Sequence, residues 1–382
     1  MRSKIFHIIT LLELGGAQRT ALTLVSELNK DRFDAVLCCG PGGQLDQEAN
    51  RVVPRMFFIS NLCRPIRPWR DLKALFELVR LLRIERPHIV HTHSSKAGVI
   101  GRLAAWLAGV PIRVHTVHGF GFNPAQPFWV RLIYVWLERL LALRTTTLVF
   151  VSNANRNEAV ARRIGNPEKQ ALIRAAVHLE DHLSLVHTRA APEKIFLSPD
   201  DRLVITVGPF KPQKNLLDFV RAAQKAVQRC ERVRFLVVGD GVGRNELESE
   251  IACLNLSDKI ILAGWRSDVP NLLARADIFC MTSLWEGLPM ALVEAMAAGL
   301  PCVVNAVDGC RDVVENGVTG FLTQPGNHQE TADKIIYLLD HPEEARALGQ
   351  RARESVGPEF ACARMIEQHE TLYERLLGFV NK

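Results

Sequence analysis

The stretch "IFCMTSLWEGLPMALVEAMAAGLPCVV", residues 278–304, contains a complete strand–loop–helix–strand unit. The run IFCM reads as a strand buried on both faces. A loop follows, carrying Glu286, Gly287 and Leu288. Pro289 suits the first turn of a helix, and Gly299 followed by Pro301 suits its end. The run PCVV then opens the next strand. Apolar strands without polar alternation, joined by helices, belong to parallel sheets.

The same alternation extends outward in both directions. The first half offers the strands "KIFHIITLL", "DAVLCCG", "RMFFIS", "HIVHTH", "IRVHTVHG" and "TLVFVS". The second half offers "RLVITVG", "VRFLVVG", "KIILAG", "IFCMTS", "PCVVNAV" and "GFLTQP". Amphipathic segments such as "AQRTALTLVSELNK" and "NLLDFVRAAQKAVQR" lie between them. The fold class is therefore α/β, with two doubly wound parallel-sheet domains in tandem. A chain of 382 residues is long enough for both. The expected limits are 1–185 and 200–360, with the boundary inside 180–201 and a terminal helix at 361–382.

Composition excludes several classes. Nine cysteines without a CxxC pair suggest reduced thiols in a cytoplasmic protein. "MRSKIFHIIT" opens an apolar run that is broken by His7 and then Glu13, and it reads as a first strand rather than a signal peptide. No window has the roughly 20 apolar residues of a membrane span. Charge is uneven: residues 1–190 carry a net +12 and residues 191–382 a net −6. A basic first half suits an anionic partner. No nucleic-acid module is present. The basic, aromatic segments "FWVRLIYVWLERLLALR" and "RPIRPWRDLKALFELVRLLRIERP" suit an anionic membrane surface, or a core helix with a solvated arginine rim.

In doubly wound sheets, ligands bind at the carboxyl ends of the strands. Glu286 precedes the helix and Glu294 lies inside it, roughly 8 Å further along the axis. The junction can hold phosphate on the free amides between Gly287 and Met290, with sugar hydroxyls on Glu286 and a ribose on Glu294. Spacing leaves open that Glu286 only caps the helix and Glu294 only pairs at the surface. Gly15 and Gly16, opening a helix after the first strand, allow close approach to a diphosphate, or make a plain turn. Lys211 and Lys214 lie within phosphate reach or in a solvated basic loop. "GDGVGR" is not GxGxxG and implies no NAD. "HTH" (91–93) and "HTVH" (115–118) gather four histidines without a carboxylate, so a metal hydrolase is the weaker reading and no metal is expected. His118 is read as a hydrogen-bond donor to substrate or leaving group, or as a satisfied core histidine.

Taken in order, "GGAQR", "VGPFKPQKN", "VVGDG", "LAGWRSDVP" and "SLWEGLPMALVEAMAAGLPCVV…ENGVTGFL" resemble the retaining glycosyltransferases of the GT-B fold, family 4, over essentially the whole chain. The resemblance implies two Rossmann-like domains facing across a cleft, with the terminal helix returning to the first. It implies transfer of a sugar from a nucleotide diphosphate donor with retained configuration and without metal or other cofactor. Glu286 would hold donor-sugar hydroxyls, Glu294 the ribose and Lys214 the diphosphate, with Gly16 approaching it. Arg266, with the segment 264–266, would lie by the base, and His118 near the donor sugar. "HTHSSKAGVIGRLAAWLAGVPIRVHTVHGFGF" and "VFVSNANRNEA" resemble bacterial members that build surface polysaccharides on polyprenyl-diphosphate carriers. These features imply a UDP-sugar donor, a lipid-linked glycan acceptor and peripheral attachment to the inner face of the cytoplasmic membrane. A nucleotide-sugar epimerase or hydrolase, or a non-catalytic sugar-binding partner, are the alternatives.

Overall fold

The computed structural model describes residues 2–183, 195, 197–198 and 200–380. The chain forms two compact units, Met1–Ala176 with Cys362–Lys382, and Val177–Ala361. The division after Ala176 precedes the expected boundary at 180–201, much of which lies outside the described residues.

Unit 1 begins with β1 (Ser3–Leu11), α1 (Gly16–Glu27), β2 (Phe33–Gly40), α2 (Asp46–Val52) and β3 (Met56–Phe58). It continues with α3 (Pro68–Glu85), β4 (Ile89–His93), α4 (Ser95–Leu107), β5 (Ile112–Val117) and α5 (Phe128–Ala142). The series closes with β6 (Thr147–Phe150), α6 (Asn153–Ala161) and β7 (Gln170–Leu172). The seven strands are ordered β3-β2-β1-β4-β5-β6-β7 and all pairs are parallel.

Successive residues of β1 face opposite sides of this sheet. Ile5 and Ile9 pack with α1, while Phe6 and Ile8 pack with α3 and α4. The register sets His7 beside His91 on the α1 side. That side is completed by the end of the chain. Met365, Ile366, Leu372, Tyr373 and Leu376 share one buried cluster with Ile5, Ile9, Ile89 and Val114.

Unit 2 contains α7 (Leu179–Leu183), β8 (Arg202–Val207), α8 (Leu216–Arg229), β9 (Val233–Val238), α9 (Arg244–Cys253) and β10 (Ile260–Gly264). Next come α10 (Val269–Arg275), β11 (Ile278–Met281), α11 (Met290–Ala297), β12 (Cys302–Asn305), α12 (Asp308–Arg311) and β13 (Phe321–Thr323). Helices α13 (His328–Asp340) and α14 (Pro342–Ser355) complete it, and α15 (Cys362–Val380) returns the chain to unit 1. The strand order is β10-β9-β8-β11-β12-β13, again wholly parallel. Gly299, with φ +79°, ends α11 in the left-handed conformation that glycine favours. Both units are Rossmann-like, which fits the expected fold class.

Tyr373 ties α15 to the sheet through a 2.6 Å contact between its hydroxyl and His91 Nδ1. Tyr373→Ala removes a fully buried ring and orphans that nitrogen. The expected loss is about 3–5 kcal/mol. Hydrogen exchange should show faster opening throughout unit 1 with unit 2 unchanged.

Candidate functional site

The unit 2 site is built where three neighbouring strands end. After β8 the chain makes a 3-10 turn, Pro212–Lys214, and Asn215 adopts φ 47°, ψ 49° before α8. A non-glycine residue held there is strained, and such strain concentrates at functional loops. The loop after β11 is tied to this turn. Thr282 Oγ1 donates to the carbonyls of Lys214 and Asn215 at 3.1 and 2.9 Å. Leu284 N donates to Gln213 O at 2.8 Å. Gln213 Nε2 in turn donates to Trp285 O at 2.8 Å.

These ties bring two charges together. Lys214 Nζ lies 2.6 Å from Glu286 Oε1, and Gln213 Nε2 lies 3.3 Å from Oε2. Glu286 is buried and the Lys214 side chain is only 13% exposed, so solvent screens the pair little. Both Glu286 oxygens are engaged by the β8 loop, by Lys214 and by Gln213. Gly287 is pressed from behind by Gly309, where an added Cβ would stand 2.0 Å from Gly287 O. The α11 amino terminus at Met290 has no side-chain cap from Pro289. Leu288 is buried, and Glu294 is half-buried on α11. Arg266 lies after β10, two strands away from β8, and is held in a bidentate pair by Asp268 at 2.7 and 2.6 Å.

In unit 1, Gly15 is the N-cap of α1 in extended conformation and Gly16 is its first residue. An added Cβ at Gly15 would meet only the movable end of Gln18. The histidines are gathered more tightly than the sequence suggests. His7 Nδ1 is 3.2 Å from His93 Nε2, and His93 Nδ1 is 3.2 Å from His118 Nε2. His91 uses Nδ1 on Tyr373 and Nε2 on Thr116 Oγ1 at 2.7 Å. His115 faces the other side of the sheet, 2.9 Å from Thr92 Oγ1. Ser94, just after β4, is held at φ 64° and shares a 2.8 Å hydroxyl contact with Thr10.

Residues 15–176 match the glycosyl transferase 4-like domain, and residues 188–355 match the glycosyl transferases group 1 family. A UDP-Gal:alpha-D-GlcNAc-diphosphoundecaprenol alpha-1,3-galactosyltransferase of Escherichia coli is 35% identical over 97% of this chain and 96% of that protein. The chain is a GT4-like glycosyltransferase of the GT-B fold. An N,N'-diacetylbacillosaminyl-diphospho-undecaprenol alpha-1,3-N-acetylgalactosaminyltransferase of Campylobacter jejuni is 26% identical over 81% of this chain and 83% of that one. The crystal structure of Anabaena Alr3699/HepE in complex with UDP and glucose superposes with TM-score 0.82 at 21% identity, covering 98% of this chain and 100% of that one.

In this glycosyltransferase the ring nitrogens of His7, His91 and His93 fall within 4.8 Å of one another, a spacing a metal ion could use. The group contains no carboxylate, and His91 and His93 already engage both of their nitrogens. Sequence reading brought out Glu286, Lys214 and His118 but not Gln213, Gly309, His7 or Tyr373. His7 left one signal, an ionisable residue in the middle of the apolar run at residues 5–9.

Burial lowers the pKa of His7 to about 3 and of His369 to about 4, and holds His91, His93 and His115 well below the ordinary value. The unfolded chain therefore binds more protons than the folded one below about pH 6.5. Stability is full above that pH and is lost as pH falls toward the folded values. Each such histidine contributes up to about 1.4 kcal/mol per pH unit. Urea midpoints should drop between pH 7 and pH 5, and His369→Leu should flatten that slope.

Proposed function

We propose that this glycosyltransferase moves a hexose, galactose being the first candidate, from UDP to a polyprenyl-diphosphate-linked N-acetylhexosamine with retention, in surface polysaccharide assembly. One observation carries the reading: the Glu286–Lys214–Gln213 cluster sits at a strand-end helix junction, in a chain that aligns over 97% of its length with a transferase named for UDP-Gal and a diphosphoundecaprenol acceptor. Glu286 accepts from donor-sugar hydroxyls. Lys214 and the amides near Gly287 and Met290 stabilise the leaving diphosphate, where charge grows in the transition state. Glu294 takes the ribose, and Leu288 and Pro289 shape the junction. Arg266 stands toward the base. In unit 1, Gly15 and Gly16 offer amides to phosphate, and His118 donates to the donor sugar or leaving group.

The bond from the anomeric carbon to the phosphate oxygen breaks while the acceptor hydroxyl attacks on the same face. A phosphate oxygen of the departing UDP takes the acceptor proton. The protein supplies no nucleophile. Incubation with UDP-galactose and a short-chain GlcNAc-diphospho-lipid should give an α-linked product by NMR. Glu286→Ala should lower kcat about a hundredfold or more with the fold intact. A β-linked product would overturn retention, and wild-type turnover in Glu286→Ala would overturn the site.

The acceptor reading also gives a role to the outer surface of α3, α4 and α5. Trp69, Trp129 and Trp136 are 80%, 64% and 58% exposed, and Phe76, Phe128, Ile133 and Leu143 are exposed beside them. Arg139 lies over Trp136 at 5.4 Å and Arg144 over Trp106 at 5.1 Å. The one acidic residue of α5, Glu138, is turned inward onto Arg102 at 2.8 Å. The exposed remainder is aromatic, aliphatic and basic, a composition suited to the headgroup region of an anionic bilayer. Among the described residues no helix is long and apolar enough to cross a membrane. The double variant Trp129→Ser/Trp136→Ser should bind phosphatidylglycerol vesicles at least tenfold more weakly. Its turnover on a water-soluble acceptor should be unchanged.

A further inference from the structure

The contacts His7 Nδ1 to His93 Nε2 and His93 Nδ1 to His118 Nε2, each 3.2 Å, place three imidazoles in a row. His7 and His93 are fully buried, whereas His118 is half-buried. Burial keeps the inner rings neutral. A neutral imidazole carries one N–H, on one nitrogen or the other. A hydrogen bond between two such rings needs one proton in the gap: two collide, and none leaves two lone pairs opposed. Applied to both gaps, this leaves two arrangements for the whole row. Either all three rings carry the proton on Nδ1, or all three carry it on Nε2.

The inner end decides between them. His7 Nε2 is buried with no hydrogen-bond partner. In the first arrangement it is a bare lone pair; in the second it is an orphaned N–H. Buried donors without a partner are rarer in proteins than under-satisfied acceptors. The row therefore settles with its protons on Nδ1. At the outer end, His118 Nδ1 has no protein partner among the described residues and is left as a donor. His91 packs against His93 with centroids 4.3 Å apart and planes tilted by 32°, which holds the middle ring in place.

We propose that His93, backed by His7, is a positioning residue that fixes His118 as the Nδ1–H tautomer, so that it presents a hydrogen-bond donor to the sugar or phosphate oxygen. The inference rests on the reading above that His118 faces the donor. A bare nitrogen at that position would repel a phosphate oxygen, whereas an N–H attracts it. No proton need be transferred along the row; its function is to choose which nitrogen carries one.

The test is long-range proton–nitrogen NMR on the full-length protein labelled with 15N-histidine. His7, His93 and His118 should all be neutral Nδ1–H tautomers at pH 7.5. A mixed set of tautomers in the wild type would overturn the proposal without any variant. His93→Phe should release His118 toward the Nε2–H form and lower kcat about tenfold. His93→Asn puts an amide donor where Nδ1–H was, and should restore Nδ1–H at His118 and most of the turnover. Wild-type kcat in His93→Phe would overturn the positioning role. Stoichiometric zinc in the purified protein, with histidine shifts that a chelator alters, would show a metal site instead. A correct tautomer row in a protein that transfers from no UDP-hexose would support the row and overturn only the proposed function.

Discussion

Parallel strands covered by helices on both faces have no room for unpaired polarity. Each strand must be apolar along its length, and its polar chemistry is displaced to the ends. In unit 2 this rule is followed with two exceptions near strand ends, the buried Thr206 in β8 and Asn305 in β12, and the charged Lys214, Glu286 and Asp308 appear only after β8, β11 and β12 stop. In unit 1 it is broken at His7, His91, His93 and His115. Neutral imidazoles are among the few polar groups that such an interior can hold, and here the rings largely satisfy one another.

The Lys214–Glu286 pair obeys a different economy. Burying two charges costs several kcal/mol per ion, and their attraction often only offsets that. A pair of this kind is weak grounds for stability. Its geometry is fixed from outside: Thr282, Gln213 and Leu284 stitch together the two loops that carry the charged groups. The close approach of Gly309 to Gly287 serves the same end from the opposite side, because any larger residue would push the loop outward.

How much of this could be read beforehand varies with the kind of interaction. Strands such as IFCM and LVITV announce themselves because burial on both faces leaves mainly apolar and β-branched residues. The three-residue β7, half-buried at the sheet edge, carries no such pattern and was not anticipated. Glu286 and Lys214 stand out because charged residues cluster at strand ends. Gln213 does not, since an amide in a loop is unremarkable until its partner Trp285 O is known. The histidine row depends on the β1–β4 register that sets His7 beside His91, and on a helix from the far end of the chain. Neither the register nor that return can be read from local spacing.

The return of α15 has a consequence for how the chain is made. Unit 2 is one continuous stretch, Val177–Ala361, and every residue it needs has been synthesised before the last helix emerges. Unit 1 precedes it but lacks Met365, Tyr373 and Leu376 until unit 2 has been made. Domains fold as units during synthesis. The amino-terminal half of this enzyme therefore waits, with the face of its sheet that α1 lines only partly covered, while the half that follows it closes. The unit that opens the chain is thus completed after the one that interrupts it.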